Sequence, residues 1–272
     1  MSTLVSPVRP GLLLGDRPER RPRKERSAVD QRVGTWLAGR KSRSLSMRAF
    51  AGLLQHIEDH ERTLAPPGSQ KFRVQVRTLS RNLTLNGITE ELALQAFAAV
   101  RAATCHSQGI RLHPEQLFAG WAMLHGCLAE MQTGEGKTLT AALPAIVMAL
   151  ARTPVHVVTV NDYLVRRDAD QLKGLYQLFG LQVGTVVEES GTEERRLAYA
   201  ADVVYCTNKQ LVFDYLRDLQ LLGESRAGLK SQVRSLLSSD LQRPVMRGLC
   251  FAIDDEADSS LIDDARTPLI LA

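Results

Sequence analysis

The chain has 272 residues, 44% of them hydrophobic and 24% charged, with a formal net charge of +4. That apolar content excludes disorder over the whole length; no run approaches the ~18 apolar residues of a membrane-spanning helix, and Leu12-Leu13-Leu14 is too short for a signal-peptide core. Cys105, Cys127, Cys206 and Cys250 are scattered without a Cys-x-x-Cys pair, which argues against a disulfide framework or structural zinc and points to a reducing compartment.

The charge is uneven: residues 1–50 sum to +8 and residues 51–272 to −4. The basic residues are densest at 17–26, where prolines oppose one continuous helix. Residues 1–43 therefore read as a mobile, solvated segment whose charge suits anionic lipid or nucleic acid. From Ser44, Leu45, Phe50, Leu53, Leu54, Ile57 and Leu64 recur at helical spacing, and Ala65-Pro66-Pro67-Gly68-Ser69 breaks the pattern. Thr89-Glu90-Glu91-Leu92 offers a cap and early acidic residues for a second helix, burying Leu92, Leu94, Ala96, Phe97, Val100 and Cys105. A third helix starts at Pro114 and runs through Leu117, Phe118 and Trp121 to Leu124.

After Gly126, short apolar runs alternate with helical patterns, as in a parallel sheet with crossover helices. The expected strands are Cys127–Glu130, Val155–Val160, Gln182–Val187, Asp202–Cys206 and Leu249–Ile253. The expected helices are Lys137–Ala151, Tyr163–Phe179, Glu193–Ala200 and Lys209–Leu219. Gly223–Gln242 reads as a polar helix or loop without a motif. The fold class is α/β.

Met131-Gln132-Thr133-Gly134-Glu135-Gly136-Lys137-Thr138 stands before a long helix, the context of a phosphate-binding loop. Gly134 and Gly136 let the backbone curl so that N–H groups converge on phosphate oxygens, and the helix N-terminus adds partial positive charge. In that pattern Lys137 contacts the β- and γ-phosphates and the Thr138 hydroxyl holds Mg²⁺. Met131 departs from the generic pattern, which has glycine there. Downstream, Phe251-Ala252-Ile253-Asp254-Asp255-Glu256 is an apolar strand ending in acids, the shape of the second element of such sites. Asp255 would hold Mg²⁺ through water, and Glu256 would polarise an attacking water. His113, His125 and His156 lack metal-ligand spacing and read as structural.

Gln116–Thr138, with Cys127-Leu128-Ala129-Glu130-Met131 leading into the loop, resembles the first nucleotide-binding fold of the SecA preprotein translocase ATPases, a family that also has Met at the missing glycine. The resemblance continues through Val155–Leu164, Arg167-Asp168-Ala169, Ala200-Ala201-Asp202, Thr207-Asn208, Phe213–Asp218, Asp255–Ser259, Leu261-Ile262-Asp263 and Ala265–Ile270. It implies a RecA-like P-loop NTPase fold of the DEAD motor type over residues 109–272, preceded by a helical region at 44–108. It also implies ATP and Mg²⁺ as cofactors. Gln116 would hydrogen-bond the adenine edge; Thr133, Gly134, Glu135, Gly136, Lys137, Thr138 and Asp255 would bind nucleotide; Glu256 and Lys137 would be catalytic. Asp162 and Arg217 would link nucleotide state to the rest of a motor, or cap and pair locally.

The implied function is that of a motor coupling ATP to preprotein export, with preprotein and the membrane protein-conducting channel as partners. It would act in the cytoplasm, or peripherally at the inner face of the cell membrane, with anionic lipid contact through residues 1–50. The chain stops about where the family inserts its preprotein-binding domain, and the second nucleotide-binding fold supplies arginine fingers. Slow turnover alone is therefore expected, since a finger contributes ~10³–10⁵ in rate. The alternatives are a non-catalytic nucleotide-binding or interaction module and a DEAD-box helicase. Val160-Asn161-Asp162-Tyr163-Leu164 stands where such helicases carry a basic, nucleic-acid-gripping motif, so no nucleic acid is expected. Asp254, Ser260 and Asp264 depart from the family's pattern. If Asp255 points toward the nucleotide edge, strand alternation turns Asp254 toward the helix-covered face, where a carboxylate loses water; the alternative is that the strand ends early and Asp254 already sits in water.

Overall fold

The computed structural model describes residues 3–5, 46–222 and 244–263. The expected basic stretch at 17–26, the polar segment 223–242 and the Ala265–Ile270 motif lie outside these residues.

Helix α1 (Met47–Thr63) begins where Ser46 Oγ accepts the Ala49 N–H at 3.2 Å, and it buries Phe50 and Ile57. The predicted break follows it. Helix α2 (Gln70–Asn86) has no counterpart among the expected elements. Ser69, read as part of the loop, caps it by accepting the Phe72 N–H at 3.2 Å. Phe72, Val76, Leu79 and Leu83 line its buried face, while Lys71, Arg73, Arg77 and Arg81 are exposed on the other. A two-residue strand, Ile88–Thr89, pairs antiparallel with β1 (Thr3–Val5), so three residues of the expected mobile segment are in a strand. With Ile88–Thr89 as β2, α3 (Glu90–Gln108) starts at its predicted cap, Thr89 Oγ1 accepting from Leu92. Cys105 is exposed rather than buried, because it falls off the apolar face in the last turn. Helix α4 (Pro114–Leu124) brings Phe118 and Trp121 against Phe50, with ring centroids 5.5 and 6.1 Å apart.

The second layer is a parallel four-stranded sheet in the order β4-β5-β3-β6. Its strands are β3 (Val155–Thr159), β4 (Val183–Val186), β5 (Val203–Thr207) and β6 (Phe251–Asp254). Helices α5 (Lys137–Leu150), α6 (Asp162–Leu178), α7 (Thr192–Ala200) and α8 (Asn208–Leu222) complete the alternation. The fold class is α/β, as expected, and the element ends move by only a few residues. Every residue of β3 and β5 is buried, which is why these strands read as mostly apolar runs rather than as alternating ones, with His156, Thr159 and Thr207 the polar exceptions. One expected strand is absent: Cys127–Glu130 is irregular, and Leu128 is 82% exposed. A strand needs a ladder partner for its backbone groups. Among the described residues β6 pairs only with β3, and the Cys127 N–H instead bonds the Ala122 carbonyl at 3.0 Å. The apolar core runs without a break from Phe50 through α5 to Ile253, so the helical layer and the sheet share one interior.

Candidate functional site

The segment after α4 reaches α5 through a loop in which Gly134 and Gly136 have φ of 91° and 77°. Gly136 is needed twice over. Its backbone is left-handed, and a Cβ there would collide with the Gln116 amide nitrogen. The first N–H groups of α5 have no acceptor within the helix, so they and the helix dipole face the loop as anion donors. The Gly136 carbonyl receives Thr140 through both its N–H (3.0 Å) and its Oγ1 (3.1 Å), fixing the first turn. Residues 132–135 and Lys137 are exposed, and Thr138 is half-buried.

Gln116, the expected adenine reader, is only 8% exposed, and its amide is engaged at both ends. Its Oε1 accepts the His113 N–H at 2.8 Å, closing the N-terminus of α4, and its Nε2 donates to the Glu135 carbonyl at 2.7 Å. It thereby ties α4 to the loop. Beyond these two bonds the amide keeps a second Nε2–H and a second Oε1 lone pair, the pair of groups that a base edge would need.

The strand-end acids lie beside the loop. The Asp255 N–H bonds the Val158 carbonyl at 3.0 Å, extending the β3–β6 ladder by one rung. Burial pushes the Asp255 carboxyl above its ordinary value; Asp168 and Glu256 add to the rise, and Lys137 and Arg167 oppose it. Lys137 and Asp255, far apart in sequence, therefore share one electrostatic environment. Arg167 and Asp168 belong to the same cluster, although the sequence reading gave them no role. Asp168 is 2% exposed and accepts Arg167 Nε at 2.8 Å. The signal that could have found them is the Arg-Asp pair one turn and a half into the helix that follows β3.

Asp254 is half-buried, and its Oδ1 accepts Ser260 Oγ at 3.0 Å. Two of the three departures from the family's pattern are thus partners of one another. Ser260 lies in a π-helical turn (Ser259–Asp263), and its N–H bonds the Glu256 carbonyl at 3.0 Å. Asp264 lies outside the described residues.

The remaining candidates have partners of their own, local for Arg217 and His125 but distant in sequence for Asp162. Asp162 Oδ2 accepts the Glu188 N–H at 2.9 Å, and Arg217 stands 3.7 Å from Asp214. His125 Nδ1 contacts the Trp121 carbonyl at 2.8 Å. His156 is buried in β3 beside Tyr199, and burial lowers its pKa to about 4, so it is neutral at physiological pH.

The SecA DEAD-like domain model matches residues 35–272. The chain is 48% identical over 222 residues to "Protein translocase subunit SecA 2" of Bordetella avium, covering 81% of this chain and 34% of that protein. It is 47% identical over 227 residues to the SecA 2 of Nitrosospira multiformis, covering 83% and 34%. It is 40% identical over 226 residues to "Protein translocase subunit SecA" of Alcanivorax borkumensis, covering 83% and 23%. The chain thus spans about a third or less of the length of these relatives. A loop with left-handed glycines opening α5, acids at the tip of β6 and this breadth of identity converge: the chain belongs to the SecA family and carries its DEAD-like domain.

Proposed function

We propose that this chain binds ATP with Mg²⁺ at the Met131–Thr138 loop and the tip of β6, as the nucleotide-binding motor domain of a protein-translocation ATPase. The observation that supports the reading most is the loop itself: left-handed Gly134 and Gly136 opening directly onto the N-terminus of α5 at Lys137, with the Asp255 carboxyl at the strand end within the electrostatic reach of that lysine. The residues present fit the ligands. The α5 N-terminus and loop amides suit phosphate oxygens, while Mg²⁺ is commonly held by one or two carboxylates together with substrate phosphates and water. Mg²⁺, when bound, supplies charge neutralisation on the phosphates.

In this reading Lys137 binds the β- and γ-phosphates, and Thr133, Gly134, Glu135, Gly136 and Thr138 wrap them. The Thr138 hydroxyl and Asp255 face the metal, Asp255 through water, and Glu256 orients and deprotonates the attacking water. Gln116 reads adenine with the N–H and the lone pair that its bonds to Glu135 and His113 leave over. Preprotein and the membrane channel are proposed partners, and a cytoplasmic or peripheral membrane location a proposed setting, on the names of the relatives. Among the described residues no helix is long and apolar enough to cross a membrane. Turnover by this chain alone is proposed to be slow, with arginine fingers coming from a second nucleotide-binding fold.

Displacement of a fluorescent ATP analogue tests the reading. Unlabelled ATP should displace it and GTP should do so poorly. Lys137→Ala should weaken binding about a hundredfold or more, the scale of a lost charge-assisted phosphate contact. Glu256→Gln should bind like the unsubstituted chain. Equal binding by Lys137→Ala would overturn it.

A further inference from the structure

Glu135 is tied to its surroundings at three points. Its carboxylate Oε2 accepts the Gln132 N–H at 2.8 Å, its own N–H donates to the Gln132 carbonyl at 3.3 Å, and its carbonyl accepts Gln116 Nε2 at 2.7 Å. The first two bonds close the Gln132–Glu135 segment as a turn from both sides. The third anchors that turn to the N-terminus of α4. The first of these is a side-chain contact and the other two are made by the backbone, so a substitution at this position removes the first alone. Yet the carboxylate is an anion in a loop whose glycines and following helix N-terminus suit an anion, so it opposes the charge of an incoming phosphate.

We propose that Glu135 is the positioning residue of this loop: its carboxylate shapes the turn before nucleotide arrives, at an electrostatic cost that grows with the charge of the phosphate chain. Shape and charge are separable by substitution. Glu135→Gln keeps an acceptor for the Gln132 N–H and removes the charge; Glu135→Ala removes both. The inference rests on the loop being the nucleotide site.

The experiment is calorimetric titration of the whole chain with Mg-ATP and Mg-ADP, at low salt and at about 0.5 M salt. Glu135→Gln should bind Mg-ATP about three- to tenfold tighter than the unsubstituted chain at low salt, the size of one screened charge at several ångströms. The gain should be smaller for Mg-ADP and should shrink at high salt. Glu135→Ala should bind both nucleotides more weakly than Glu135→Gln at either salt. A purely structural role would give Glu135→Gln no gain that depends on ligand charge or salt.

Equal affinities for Glu135→Gln and Glu135→Ala would overturn the shaping role. Weaker Mg-ATP binding by Glu135→Gln than by the unsubstituted chain would overturn the electrostatic cost. Lys137→Ala separates the two levels. If it abolishes binding while the Glu135 variants behave otherwise than stated, the inference alone falls. If it leaves binding unchanged, the loop is not the nucleotide site and both fall.

Discussion

The helical layer of α1–α4 and the edge formed by the loop and the tip of β6 are held by different forces, although one core runs beneath both. In the layer, Phe50, Phe72, Leu83, Phe97 and Trp121 are buried, and the energy resides in apolar area removed from water. At the edge, Gln132–Glu135 are exposed and the geometry depends on a few hydrogen bonds: Gln116 to Glu135, Gln132 to Glu135, Ser260 to Asp254. Substitutions in the first region should change stability far more than binding. Those in the second should change binding with little change in stability.

The largest effect should come from the layer. Phe97→Ala removes a buried ring that stands edge-on to Trp121, with centroids 6.0 Å apart, and should cost about 3–5 kcal/mol by urea denaturation. A loss within the ~0.5 kcal/mol typical of surface sites would break the comparison. Next comes a titration beneath the sheet. His156 has a folded pKa of about 4 against 6.5 ordinarily, so folding favours its neutral form. Its contribution is present above pH 6.5 and is lost as pH falls through 4, to a limit of about 3 kcal/mol. The difference between the unsubstituted chain and His156→Gln, followed by denaturation across that window, isolates it.

At the edge the effects shrink. The raised carboxyl of Asp255 works in the opposite sense: its contribution to stability is present below 3.8 and is lost as pH rises above that value. Asp255→Asn should therefore unfold later than the unsubstituted chain at pH 7 without nucleotide, and the gap should close toward pH 3.8. The smallest effect is the Asp254–Ser260 pair. A cycle of Asp254→Asn, Ser260→Ala and the double variant should give a coupling of about 0.5–1.5 kcal/mol. Zero coupling would mean that the two departures from the family's pattern do not compensate one another.

The edge was the more legible region in the sequence, and the layer the less. A loop that needs two left-handed glycines and a lysine tolerates few alternatives, so Gly134, Gly136 and Lys137 announce themselves. Helix α2 does not. Its buried Phe72, Val76, Leu79 and Leu83 follow a clean helical period, but Val74 and Leu85, 52% and 69% exposed, place apolar residues on the outer face and blur the stripe. Its cap, Ser69, reads equally well as loop. Cys127–Glu130 failed for another reason: an apolar run shows that a strand is affordable locally, not that a partner lies alongside. Gln116 was identifiable as a residue, but its contact with the Glu135 carbonyl depends on how α4 crosses the loop, which is set by packing rather than by local pattern.

The most direct test of the central claim is chemical denaturation with and without saturating Mg-ATP, on the unsubstituted chain and on Lys137→Ala. With ligand at ~100 times its Kd, linkage predicts a gain of about 2.7 kcal/mol for the unsubstituted chain. Lys137→Ala should show the same stability without nucleotide and, if its Kd rises a hundredfold or more, a gain of about 0.4 kcal/mol or less with it. Equal gains in both chains, or none in a folded unsubstituted chain, would contradict the assignment of this loop as the nucleotide site.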